Sequence, residues 1–184
     1  AIVLIGGGIG TYTYVTSRRA KAHLEAEQLL ANVDHDLQAS DAKRLELAPD
    51  AKQRLADAAF ALLAPGETVF LDSSSTAYFL ARRIAAGGIA LRVLTNSGQA
   101  MQVLMACEDP QVQLYAIGGM ERRLTGSFVG PTSVRAVRDH FADRFFLSVT
   151  GVARGRILTD ADSLEAAVKC AMLEQARESV LLVD

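Results

Sequence analysis

The sequence predicts an α/β protein: a mostly parallel, Rossmann-like sheet with helices on both faces. Three observations carry that expectation. From Thr68 onward, short β-rich runs alternate with segments of helical spacing. The β-rich runs are almost continuously apolar, as strands buried on both faces must be. Successive runs also end in polar or glycine turns, Asp72-Ser73, Thr95-Asn96-Ser97 and Gly118-Gly119. In such sheets the ligand crevice lies beyond the carboxyl ends of the strands, at a helix N-terminus.

Taken in order, Ala1 to Ile5 reads as a strand, Gly6 to Gly10 as a glycine turn and Thr16 to Ala31 as a polar helix. Asn32 to Ser40 is acidic and irregular. Residues 1–47 are therefore expected to be an arm or the end of a preceding region, with one domain over 48–184. Its first helix puts Ala51, Leu55, Ala58, Ala59 and Leu62 on one face and stops at Pro65-Gly66. Strands are expected over 69–71, 91–94, 112–117, 145–149 and 180–183. In the last helix Leu164, Ala167, Val168, Ala171, Met172 and Ala176 recur at intervals of three and four. Asp162-Ser163-Leu164-Glu165 opens it with an acidic cap and a Glu three residues on, so both are expected to cap.

Composition excludes several classes. The chain has 184 residues, 50% of them hydrophobic and 22% charged, which separates it from disordered chains. A net charge of -2 without a basic stripe argues against nucleic-acid binding by these residues themselves. The apolar run Ile2 to Ile5 is far shorter than the roughly 20 residues that span a bilayer. Without a secretory pattern, a cytoplasmic location is expected and no membrane contact. Cys107 and Cys170 are too few and too far apart for a disulfide framework.

One tempting motif fails. Ile2 to Ile5 followed by Gly6-Gly7-Gly8-Ile9-Gly10 resembles a dinucleotide fingerprint, but the sixth position is Thr11 and no second strand follows. No cofactor is expected. Asp34-His35-Asp36 reads as a solvated acidic patch, and no zinc spacing occurs, so no metal is expected.

The informative stretch is Asp72-Ser73-Ser74-Ser75-Thr76, where a buried strand meets the N-terminus of a helix. Such a terminus offers free N–H groups and partial positive charge, favouring an anion by about 0.3–1 kcal/mol. The neighbouring hydroxyls add donors without adding charge. An ordinary serine cap needs one hydroxyl, not four. Thr95-Asn96-Ser97 and Gly118-Gly119 end the next two strands, and the glycines permit close backbone approach.

In that order, with Gly126-Ser127-Phe128-Val129-Gly130-Pro131 and Asp162-x-x-Glu165-Ala166-x-Val168-Lys169-x-x-Met172 added, these residues resemble the DeoR-type transcriptional regulators. The similarity is to their C-terminal effector-sensing domain and covers about residues 48–184. The resemblance implies a fold similar to ribose-5-phosphate isomerase, glucosamine-6-phosphate deaminase and CoA-transferase subunits. It implies that Asp72 to Thr76 cradles a phosphate and that Thr95, Asn96, Ser97, Gly118, Gly119 and Gly151 surround the sugar. It also implies that Lys169 offers a cation to the phosphate or a hydroxyl; the alternative for Lys169 is an i,i+4 pair with Glu165. Family members usually begin with a winged helix-turn-helix, and none is visible in this chain. DNA contact is therefore expected through a domain outside it, and homo-oligomers would suit a palindromic operator. The family pattern continues with a serine-and-lysine turn where this chain stops at Asp184, and Thr150 stands where some relatives carry an acidic residue.

An isomerase or deaminase needs a base near the carbonyl-bearing carbon. Asp72, Asp160, Asp162 and Glu165 are candidates; His23, His35 and His140 form no pair with a nucleophile. Glu67 and Glu108 are the candidates for a CoA-transferase glutamate. Binding equipment outweighs catalytic equipment. The expectation is a non-enzymatic effector-binding domain of a regulator, a repressor of sugar metabolism. A sugar-phosphate isomerase or deaminase of the same fold is the alternative.

Overall fold

In the computed structural model, residues 2–6, 48–153 and 157–183 are described. Six parallel strands form one sheet in the order β1-β10-β7-β2-β3-β4. They are β1 (Ile2–Gly6), β2 (Thr68–Leu71), β3 (Leu91–Thr95), β4 (Val112–Ala116), β7 (Ala142–Leu147) and β10 (Ala176–Val183). Among the described residues five helices accompany them: α1 (Pro49–Phe60), α2 (Ser75–Ala85), α3 (Gly98–Met105), α4 (Pro131–Arg138) and α5 (Ser163–Gln175). Two antiparallel hairpins sit outside the sheet, β5 (Met120–Arg122) with β6 (Ser127–Val129), and β8 (Gly151–Ala153) with β9 (Ile157–Thr159).

Alternation along each strand sends side chains to opposite faces. Val69 and Leu71 of β2 join Val93, Phe146 and Val180 beneath α1, α2 and α3. Phe70 of the same strand joins Leu94, Phe145 and Leu181 beneath α4 and α5. Both faces are covered, so the strands read as continuous apolar runs. The rings of Phe70 and Phe145 meet edge to face, with centroids 6.3 Å apart, at the centre of the second layer.

The chain grows outward from β2 through β3 to β4, then returns to place β7 on the other side of β2 and β10 beyond it. Right-handed crossovers require the covering helices to change face when the direction reverses. The seam between β2 and β7 is therefore a topological switch point, where an open α/β sheet leaves a crevice beyond the strand ends.

Several expected elements differ in detail. The strand expected at the start is present as β1 and pairs in parallel with β10, Ile2 opposite Ser179 through Gly6 opposite Val183. The glycine turn after it, the helix over 16–31 with Leu24, Leu29 and Leu30, and the acidic patch lie outside the described residues. The buried face of α1 is Lys52, Leu55, Ala56 and Ala59; Ala58 and Leu62 are exposed. Likewise Leu164 and Ala167 of α5 face solvent, and Ala176 begins β10 instead of ending the helix. There the buried i+3/i+4 stripe runs through Glu165, Val168, Ala171 and Met172. An apolar count could not find it, because its first member is a carboxylate. Both cysteines are free thiols.

Phe70→Ala removes a fully buried ring from the second layer. It should cost about 3–5 kcal/mol of unfolding free energy in urea titration. A loss below about 1 kcal/mol would mean that this layer is not close-packed.

Candidate functional site

Because the six strands are parallel, everything that follows a strand meets at one end of the sheet. Asp72 follows β2, Asn96 follows β3, Gly118 follows β4 and Ser148 follows β7. The helices run back, so the N-termini of α2, α3 and α5 point to the same end.

Asp72 is fully buried and shapes the loop after it. Its Oδ1 accepts from the Ser74 backbone N–H at 3.0 Å and from the Ser74 hydroxyl at 2.5 Å. Its Oδ2 accepts from the Ser148 N–H at 2.9 Å, which crosses the seam to β7. Ser74 caps α2, its Oγ accepting from Ala77 N at 3.1 Å. Ser73 turns the other way and donates its hydroxyl to Glu165 Oε2 at 2.9 Å. Ser75 and Thr76 occupy the first turn of α2, where N–H groups have no intrahelical acceptor.

Lys169 closes the base of the site. Its ammonium donates to Asp160 Oδ2 at 2.6 Å and to the Ser148 carbonyl at 2.8 Å, and lies 3.3 Å from Asp72 Oδ2. Burial alone would lower the Lys169 pKa, but the Asp72 and Asp160 carboxylates outweigh it and hold the group above its usual value. The alternative i,i+4 pairing with Glu165 is not what the structure shows. No contact with Glu165 within ion-pair distance forms, and the ammonium is engaged by three acceptors of its own chain.

Glu165 is likewise not the capping group expected from the sequence. Asp162 caps α5 alone, its Oδ1 accepting from Leu164 N and Glu165 N at 2.9 and 3.0 Å. The Asp162 N–H that a capping box would give to Glu165 meets Asp160 Oδ1 at 3.4 Å. Glu165 is 3% exposed and accepts from three hydroxyls: Ser73, Thr125 at 2.9 Å, and Ser127. Thr125 and Ser127 belong to the β5–β6 hairpin; Ser127 lies within the Gly126 to Pro131 motif, but neither residue is expected from the sequence to have a role in the site. Arg122 of the same hairpin donates to Asp162 Oδ2 and to Thr125 Oγ1, each at 3.0 Å. Burial pushes Asp162 up, but the Glu165 N–H and the Arg122 guanidinium prevail and hold its carboxyl below the usual value.

The other predicted residues line the same end. Thr95 is buried, and its Oγ1 accepts from Ser97 N at 3.1 Å; Ser97 caps α3 through Ala100 N. Asn96 is 1% exposed, donates Nδ2 to the Phe128 carbonyl at 3.0 Å and leaves its Oδ1 without a partner. Gly119 is required by its own chain: at φ 154°, a Cβ there would lie 2.8 Å from the Val129 carbonyl and 2.0 Å from Ser133 Oγ. Gly118 has open space at the Cβ position, and its carbonyl accepts from Ser133 Oγ at 2.8 Å. Gly151 begins β8 and accepts from Thr159 Oγ1 at 3.0 Å. Glu67 sits at the opposite end of the sheet, paired with Arg144 at 3.1 Å. A cavity of about 260 Å³ beside Phe141, Asp143 and Arg177 is also at that amino end, and no predicted site residue lines it. Among the described residues no group of His, Cys, Asp and Glu is arranged to hold a metal ion, and no helix is long and apolar enough to cross a membrane.

A parallel α/β sheet with a hydroxyl-rich loop capping a helix at its switch point defines an open α/β protein with a crevice at the carboxyl ends of its strands. Its fold is that of ribose 5-phosphate isomerase A from Methanocaldococcus jannaschii. The two match with a TM-score of 0.53 at 18% identity, over 74% of this chain and 52% of that one. Residues 48–184 match the DeoR C terminal sensor domain, and the chain belongs to that family. It is 32% identical over 133 residues to the L-fucose operon activator of Escherichia coli, covering 72% of this chain and 53% of that protein. It is 34% identical over 135 residues to the HTH-type transcriptional regulator GlpR of Haloferax volcanii, covering 73% and 51%. The lactose phosphotransferase system repressor of Streptococcus mutans is 31% identical over 134 residues, covering 72% and 52%. The chain spans about half the length of these relatives.

Lys169→Met leaves Asp72 and Asp160 buried without their cation. It should cost about 3–5 kcal/mol in urea unfolding at pH 7. The stabilisation is fully present below the unfolded lysine pKa of about 10.4 and is lost only as pH rises through the higher folded value. Asp162 works in the opposite window: its contribution is present above 3.8 and lost as pH falls through its lower folded value. Asp162→Asn should therefore be less stable than the parent at pH 7, with the gap narrowing below about pH 4. A gap independent of pH would show that the charge of Asp162 is not what stabilises α5.

Proposed function

We propose that this chain is the effector-binding part of a DeoR-type transcriptional regulator, a repressor of sugar metabolism acting in the cytoplasm. Its effector is a phosphorylated sugar. The phosphate docks on the N-terminus of α2, against the Ser75 and Thr76 N–H groups and the hydroxyls of the Asp72–Thr76 loop. Thr95, Asn96, Ser97, Gly118, Gly119 and Gly151 surround the sugar, and Lys169 holds the loop from beneath. The observation that carries this is the fixing of the loop: Asp72 takes three hydrogen bonds and an ammonium, which hold the N-terminus of α2 in place at the end of the sheet. Such a terminus favours an anion through free N–H groups and partial positive charge.

The relatives named above are regulators by name, and two of them, the L-fucose operon activator and the lactose phosphotransferase system repressor, name a sugar, which supports a sensing role over an enzymatic one. Isomerase chemistry would need a free base. Asp72, Asp160, Asp162 and Glu165 each already bind side-chain or backbone donors of this chain. DNA binding is assigned to a helix-turn-helix domain outside residues 48–184, and the working unit to a homo-oligomer that matches a palindromic operator. Effector binding controls DNA binding only insofar as it prefers one of two conformations.

The test is a thermal-shift panel of sugars and their phosphate esters. A ligand at 100 times its Kd adds about 2.7 kcal/mol. For a chain of this size, each kcal/mol moves Tm by roughly 2–4 °C. Ser75→Asp places a negative charge in the first helical turn, where it suits the helix dipole. This variant should keep its Tm and lose the response to phosphate esters. A response to the free sugar alone, or one unchanged in Ser75→Asp, would overturn the phosphate loop. Turnover of ribose 5-phosphate would overturn the non-enzymatic reading.

A further inference from the structure

Glu165 is a buried carboxylate with no cation within 4 Å among the described residues. Three hydroxyls from two other segments hydrogen-bond it, and the Lys169 ammonium acts on it from farther off. Ser73 comes from the loop before α2, while Thr125 and Ser127 come from the β5–β6 hairpin. The two sides divide the carboxylate between them. Ser73 donates to Oε2, and the hairpin hydroxyls donate to Oε1. Around the hairpin turn Arg122, Thr125 and Ser127 reach back to α5, the Gly126 carbonyl accepts from Gly98 N, and Arg123 stands 93% exposed beside them.

A hydroxyl has one hydrogen to give. While Ser73 donates it to Glu165, it has none for a phosphate oxygen. We infer that Glu165 is the positioning residue that links the anion loop to the β5–β6 hairpin, with the Ser73 hydroxyl as the shared donor. The inference rests on the phosphate-loop reading above and deepens it. A phosphate on the loop draws the Ser73 hydrogen away from Oε2. A buried charged oxygen then lacks its donor, which is costly. The repair closest to hand is movement of the hairpin tip, which opens Glu165 to water or brings Thr125 round to it. Occupancy of the anion loop thus loosens a surface segment on the far side of Glu165. By reciprocity, anything that docks the tip weakens phosphate binding by the same factor.

Limited trypsin digestion reads the tip directly, by mass spectrometry of cleavage after Arg123. Inorganic phosphate serves as the probe, and thermal shift records its binding in parallel. Phosphate should raise the cleavage rate of the wild-type chain by on the order of tenfold, because cleavage tracks the open population. Ser73→Ala should show the raised rate without phosphate and no further response. Ser73→Thr, which keeps the hydroxyl, should restore wild-type behaviour. Circular dichroism confirms that each variant is folded, and a second disconnection, Thr125→Val, serves if Ser73→Ala is not. Valine keeps the shape of threonine and removes the donor that ties the turn to Oε1, so Thr125→Val should also raise cleavage. A phosphate thermal shift with unchanged or slower cleavage overturns the linkage. So does wild-type cleavage in Ser73→Ala or, should that variant not fold, in Thr125→Val. No phosphate shift in the wild type counts against the phosphate loop instead, and the substitution arm then decides the linkage alone.

Discussion

The Lys169 ammonium sits where the two halves of the sheet part. It rises from α5 to lie between Asp72 at the end of β2 and Asp160 after β9, and it takes the Ser148 carbonyl at the end of β7. Buried carboxylates without a cation would be too costly to keep. Asp72 in turn holds the loop that caps α2 and accepts the Ser148 N–H across the seam. One cation therefore fixes the opening turn of α2, the seam between β2 and β7, and the placement of α5 over both.

The cluster around Glu165 follows a different principle. Here a carboxylate is kept by neutral donors, and each hydroxyl can point elsewhere by rotation alone. Ion pairs at Lys169 set the frame, and the hydroxyls at Glu165 connect loops that need not stay fixed. The hairpin bearing Thr125 and Ser127 is tied to the neighbouring loop by backbone bonds, Gly98 N to Gly126 O in its turn and Phe128 N to Asn96 O in β6. Side chains of Arg122, Thr125 and Ser127 tie it to α5. This division gives the end of the sheet a firm floor and an adjustable wall.

Much of the fold was legible in the sequence. The apolar runs in β2, β3, β7 and β10 and the polar turns after them are local signals, and they placed Asp72 to Thr76 and Thr95 to Ser97 at strand ends. Helix faces were less legible. Leu164 and Ala167 fit an apolar stripe by spacing, but α5 turns Glu165 inward, because three hydroxyl donors wait there. Those donors come from residues about 40 and 92 positions away, so no window along the chain contains them. The need for glycine at 119 also has a source that spacing could not show, the close approach of Ser133 and Val129.

The sequence by itself determined the class of sheet, the end at which its loops gather and the residue types gathered there, since period and turn chemistry are local properties. Family membership too was written in short motifs. Only the tertiary structure decided which charges meet. Lys169 is spoken for by Asp72 and Asp160, Glu165 is shared between the anion loop and a hairpin, and Asp162 caps α5 and binds Arg122. Pairing of buried charges is settled by distance and desolvation in three dimensions, and neither quantity is encoded in spacing along the chain.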